Sequence, residues 1–224
     1  MDASVAAILA LGFALGLKHA TDADHVVAVT TFVSEEKSLL RSCWIGAFWG
    51  AGHTLSLAIA GLVVIFLKVN IPSWLETRLE LAVAAMLVFL GGRVLYRTWK
   101  QQLEMHRHPH WHVHKRGANH AHSGWVHIGL RPLLVGMVHG AAGSGALMLL
   151  VLSTIQSPFQ AMLYILIFGV GSIAGMLVTS MLLALPLQWL GSRAAASYRP
   201  IQVFAGLFSC LFGIYLGVEI WRSL

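Results

Sequence analysis

Between Pro132 and Ser192 the chain runs for 61 residues without a Lys, Arg, Asp or Glu. Globular chains are about one-quarter charged, so this stretch is built for a solvent other than water. At about 1.5 Å per helical residue it is long enough for two bilayer crossings of roughly 20 to 25 residues each. The whole chain agrees, with 57% apolar and only 11% charged residues. Hydrocarbon offers no hydrogen bonds, so backbone groups there must pair within the segment, which favours helices. The expected fold is an all-α integral membrane protein in a lipid bilayer with six transmembrane helices. They are read near Ala3 to Val33, at Cys43 to Leu67, near Leu79 to Tyr96, and at Pro132 to Leu152, Phe159 to Leu190 and Pro200 to Val218. The amino terminus has no basic region ahead of its apolar run and is expected to be mature sequence.

Lys and Arg gather on one side of these spans. The connections after the first, third and fifth hold eleven, against Lys68, Arg78 and Arg222 on the other side, with Lys18 set aside as intramembrane. Positive loops stay in the cytoplasm, so both termini are expected outside and the long polar loop inside. The net charge of +6 is read as this topology signal, and no nucleic-acid partner is expected. Cys43 and Cys210 lack CxxC spacing and read as small buried hydrophobes.

The two halves resemble each other at a spacing of about 120 residues. Gly16-Leu17-Lys18-His19 matches Gly136-Met137-Val138-His139, Gly50-Ala51-Gly52 matches Gly169-Val170-Gly171, and Gly91 and Trp99 match Gly213 and Trp221. With an odd number of spans in each half, the second copy must be inverted relative to the first, the layout of many secondary transporters with a midplane site. The expected organisation is a first three-helix repeat over 1–103, a His-rich loop over 104–128 and a second repeat over 129–224.

Chemistry concentrates in Lys18-His19-Ala20-Thr21-Asp22-Ala23-Asp24-His25, flanked by apolar sequence on both sides. Asp22 and Asp24 alone among the nine acids fall inside a span, and ionisable groups in such places mark a binding site or pathway. Their segment is too long for one straight helix, so the first span is expected to be kinked or broken at this block. On a regular helix His19, Asp22 and His25 share one face while Asp24 points away, and a break could bring Asp24 in. Imidazole with carboxylate suits nickel, cobalt, zinc or iron, and two carboxylates would balance a divalent charge. The bland alternative is a Lys18–Asp22 pair with the other groups bonded to backbone. His53, next to Gly50 and Gly52, could meet the first span, and His139 holds in the second half the place of His19 in the first. The candidate metal ligands are therefore His19, Asp22, Asp24, His25, His53 and His139. Between His106 and His127 eight of 22 residues are histidine, a metal-binding composition without apolar periodicity and expected to be disordered without an ion. On the cytoplasmic side it would sense, buffer or collect metal.

The stretch Leu17-Lys18-His19-Ala20-Thr21-Asp22-Ala23-Asp24-His25-Val26 resembles the signature of the nickel/cobalt transporter family, in which His, four residues, Asp and His form the metal-selecting motif of a membrane helix. Gly52-His53-Thr54 looks like that family's second short motif. The resemblance implies that His19, Asp24 and His25 are signature ligands, Asp22 a companion acid and His53 the contribution of the next helix. Uptake members generally have eight spans and a later acidic motif. Here six spans are read, and His139-Gly140-Ala141-Ala142-Gly143-Ser144 is more similar to the urease-accessory, UreH-type branch. A long His-rich loop is also similar to that of efflux members.

The expected function is a secondary transporter moving Ni²⁺, or Co²⁺, across a bacterial inner membrane, in the uptake direction, with both termini periplasmic and the His-rich loop cytoplasmic. Its alternatives are an efflux protein and a membrane accessory or sensor that delivers nickel to an enzyme-maturation partner. No cofactor is expected beyond the transported ion. No P-loop is present, so energy would come from an ion gradient or a partner, which leaves room for a metallochaperone or ATPase subunit at the cytoplasmic loops. A membrane metalloenzyme is disfavoured because HxxHH and HExxH clusters are missing, and no enzyme activity is expected.

Overall fold

The computed structural model describes residues 3–67, 72–106, 129–142, 151–152, 154–155, 157–193 and 198–223. Among them are seven helices: α1 (Ala3–His19), α2 (Ala23–Ser34), α3 (Leu39–Leu67), α4 (Ser73–His106), α5 (Arg131–Ala141), α6 (Pro158–Arg193) and α7 (Tyr198–Ser223). By length and hydropathy α3, α4, α6 and α7 can each cross a membrane, and α1 with α2 form a fifth candidate bent by 55°. The outward faces are apolar, with Ile59, Phe66, Phe89, Leu166, Phe204 and Leu211 all exposed, while histidines lie fully buried. This inside-out distribution belongs to a multi-pass membrane protein.

The first span breaks where the sequence reading expects it. The amides of Thr21 and Asp22 donate to the carbonyls of Lys18 and His19 at 2.9 and 3.1 Å, and the Thr21 hydroxyl donates to Lys18 O at 2.6 Å. These tight bonds satisfy the orphan carbonyls at the end of α1. Asp22 then adopts an extended conformation ahead of α2, with Asp24 in its first turn, where a carboxylate complements the positive end of the helix. The third expected span is longer than read, since α4 carries Glu80 and Arg93 inside one continuous helix. The fourth begins one residue before its predicted start, with Pro132 in the first turn of α5. It stops at Ala141, and residues 143–150 of that expected span lie outside the described ones. So does the His-rich tract after His106. Cys43 and Cys210 are free thiols, half-buried rather than buried.

The densest helix pairings, α4 with α7, α3 with α6, α3 with α5 and α1 with α6, all join one half of the chain to the other. Close approach is set by glycine. A Cβ at Gly16 would fall on the Phe168 carbonyl of α6, and one at Gly136 on the Trp49 carbonyl of α3. Gly171 meets the Phe13 carbonyl of α1, and Gly52 the Leu133 carbonyl of α5. A shift of 119 or 120 residues turns each contact into its counterpart. Small residues at membrane helix crossings let backbones touch and let hydroxyls bond across. Ser56 donates in this way to Met137 O at 2.7 Å, and Ser209 to Leu87 O at 2.8 Å.

Candidate metal centre

All six residues singled out from the sequence come together at the break in the first span. The break does for Asp24 what a regular helix could not. Its Oδ1 accepts from the His25 amide at 2.9 Å and from His25 Nδ1 at 3.0 Å, while its Oδ2 accepts from His139 Nε2 at 2.9 Å. Asp22 accepts from His19 Nδ1 at 2.9 Å and from Lys18 Nζ at 3.1 Å. The Lys18–Asp22 pair of the bland reading therefore exists, on the exposed side of Asp22, and leaves the other carboxylate oxygen for His19.

These bonds fix tautomers. A neutral imidazole that donates from one nitrogen presents a lone pair at the other. His19, donating from Nδ1, accepts at Nε2 from His53 Nε2 at 2.9 Å, which leaves His53 Nδ1 buried without a partner. His25, donating from Nδ1, keeps Nε2 buried without a partner, and His139, donating from Nε2, keeps Nδ1 buried without one. An unsatisfied buried polar atom costs about 1–3 kcal/mol, so nitrogens left bare together fit a ligand that takes lone pairs. A carboxylate behind His19, His25 and His139, setting the tautomer and raising the basicity, is the usual support of a metal-binding histidine.

Two trios have ligand atoms within 4.8 Å of one another: His19, His25 and His53, and Asp24, His25 and His139. His25 belongs to both. Asp22 stands behind His19, outside both trios. The His19 and His53 ring centroids are 4.9 Å apart, and those of His25 and His139 4.1 Å. Trp49, fully buried, packs on His139 at 5.7 Å, and Phe168 on His19 at 5.8 Å, forming an apolar wall that removes water from the site. His53 meets the first span as expected, although the neighbouring glycines do so indirectly. Gly52 admits α5 and Gly50 admits Ile173 of α6, rather than α1. The role of Trp49 escaped the sequence reading, because one apolar residue in an apolar helix carries no signal.

No family model and no solved structure matches the chain. Among curated proteins it is 37% identical over 208 residues to the urease accessory protein UreH of Bacillus sp. (strain TB-90), covering 93% of this chain and 89% of the relative. The chain belongs to the UreH-type branch of the nickel/cobalt transporter family. The signature that carries the resemblance to the nickel/cobalt transporter family, His19 to His25, is the segment that the broken span folds around the bare ring nitrogens. The buried His/Asp cluster accordingly fits a metal site in a nickel-related membrane protein.

Proposed function

We propose that the chain is a secondary transporter that carries Ni²⁺, with Co²⁺ as the lesser cargo, into the cytoplasm across a bacterial inner membrane. The observation that carries this reading is the convergence of three buried imidazoles, with His53 Nε2 donating to His19 Nε2 at 2.9 Å, and His53 Nδ1 and His25 Nε2 left unpartnered. In this mechanism the ion exchanges waters for imidazole nitrogens. Asp24 and Asp22 hold the rings and balance the double charge. His25, common to both trios, would hand the ion from the Asp24–His139 side to the His19–His53 side.

The reciprocal glycine contacts support two inverted three-helix halves related by a pseudo-two-fold axis. Rocking of one half on the other would alter the second trio, which joins Asp24 and His25 of the first half to His139 of the second. With no P-loop in the sequence, an ion gradient or a partner is left as the energy source. The orientation, with both termini periplasmic and the His-rich loop cytoplasmic, rests on the distribution of Lys and Arg.

The test is flux of labelled nickel into proteoliposomes of known orientation. The parent should accumulate nickel and the His53→Ala variant should not; equal flux in both overturns the site assignment. A second reading is favoured by the relative's name, urease accessory protein. In it the chain hands nickel to an enzyme-maturation partner. Absence of any flux, with nickel binding retained, would select that reading.

A further inference from the structure

A cavity of about 440 Å³ reaches Asp24 and His139 and is lined also by Glu80 of α4 and by Glu219, Ile220 and Ser223 of α7. Among the described residues that line it three are carboxylates and none is Lys or Arg. At its floor lies His139, fully buried, with Nδ1 unpartnered and Nε2 on Asp24. Six waters at roughly 30 Å³ each would leave room for the ion they hydrate.

The positions related to Glu80 and Glu219 by a shift of 122 residues are Gln202 and Arg97, and they too line a cavity, of about 290 Å³. Its character is reversed. Arg97 and Lys100 stand in it, no residue of either trio does, and the one acid among its described residues, Glu35, is tied to Arg97 at 3.2 Å and to Arg93 at 3.7 Å. The fold thus provides two equivalent hollows at opposite ends of the α4–α7 pair, and only the one furnished with acids connects to the histidines.

We propose that Glu80 and Glu219, with Asp24 below them, form a capture site for a hydrated divalent cation that supplies the histidine cluster. The inference deepens the transport reading and rests on it for the ion's destination. Carboxylates around a low-dielectric hollow focus the field and raise the local cation concentration. The two glutamates act on the ion while its waters are still in place. Their effect therefore falls on capture rather than on the later exchange of waters for imidazole. The hollow lies beside the carboxyl end of α7, on the face that the charge count puts outside, where an imported ion arrives.

Two measurements separate this proposal from the transport reading. In the first, Ser223→Cys is introduced at the rim in a chain whose Cys43 and Cys210 are replaced by Ala. The introduced thiol is then labelled with a cationic or an anionic methanethiosulfonate reagent of similar size. The cationic reagent should be favoured several-fold more than it is with a small free thiol, and this excess should disappear when Glu80→Gln and Glu219→Gln are added; the same ratio with and without the glutamates overturns the capture site, whether or not the protein transports anything. In the second, nickel flux into proteoliposomes is followed against concentration. Glu80→Gln with Glu219→Gln should raise KM about tenfold and leave kcat unchanged. An unchanged KM overturns capture while leaving transport intact. A parent whose excess preference for the cationic reagent depends on the glutamates but which moves no nickel supports capture and removes transport.

Discussion

The reciprocal helix contacts make a quantitative prediction for glycine-to-alanine substitution. Within a helix, Gly→Ala gains about 1 kcal/mol of intrinsic helix propensity. At Gly92 of α4 nothing lies within 4 Å of the added Cβ, so Gly92→Ala should show this gain alone. At Gly52 the same atom would land on the Leu133 carbonyl of α5. Backbone cannot rotate aside as a side chain does, so the upper end of the overpacking range applies, about 3 kcal/mol. Set against the helix gain of about 1 kcal/mol, Gly52→Ala should lose about 2 kcal/mol, a spread of about 3 kcal/mol between the two variants. Its counterpart Gly171, which meets the Phe13 carbonyl, should lose about as much. Reversible unfolding by SDS in mixed micelles, read by circular dichroism, measures all three. Because Gly52 adjoins His53, separation of α3 from α5 should also weaken nickel binding, whereas Gly92→Ala should leave it alone. A Gly52→Ala protein as stable as Gly92→Ala would refute the close backbone approach. Unequal losses at Gly52 and Gly171 would refute the reciprocity of the halves.

Asp24→Asn keeps the shape of the side chain but leaves one oxygen to serve both His25 and His139. Removal of such a supporting carboxylate lowers metal affinity about 10–100-fold, or about 1.4–2.7 kcal/mol, and titration calorimetry with nickel that gave parental affinity would contradict its role. A ligand that binds only the folded chain stabilises it by about 2.7 kcal/mol at a hundredfold excess over Kd. Nickel, and not magnesium, should accordingly raise the unfolding midpoint in detergent, and no shift at saturating nickel would speak against the bare nitrogens as ligands. Deleting residues 106–122 should change the dependence of flux on nickel concentration without abolishing flux; identical curves would remove the histidine tract from the pathway.

Much of the centre was legible in the sequence because charge inside an apolar run is costly and hence informative. Asp22 and Asp24 stood out for that reason, and their polar block, Lys18 to His25, marked where the excess length must break, which the structure narrows to the stretch between His19 and Ala23. His139 emerged only through the internal repeat, since its partner Asp24 lies 115 residues away and no local pattern encodes that contact. What the sequence left open was the division of labour. Linear spacing offers the Lys18–Asp22 pair and the shared face of His19 and Asp22, but it cannot tell that Asp24 would join two rings. Glu80 and Glu219 read as ordinary acids near span ends, because a hollow between helices distant in sequence has no linear signature.

The preference of every major helix for a mate from the opposite half has a consequence for shorter chains. A polypeptide holding only α1 to α4 would expose the grooves that α5, α6 and α7 now fill, and the complement best suited to them is a duplicate of itself turned upside down. Half-length proteins of this design would assemble head to tail as antiparallel pairs, and severing the present chain between His106 and Arg131 should yield two fragments that cohere without their covalent link.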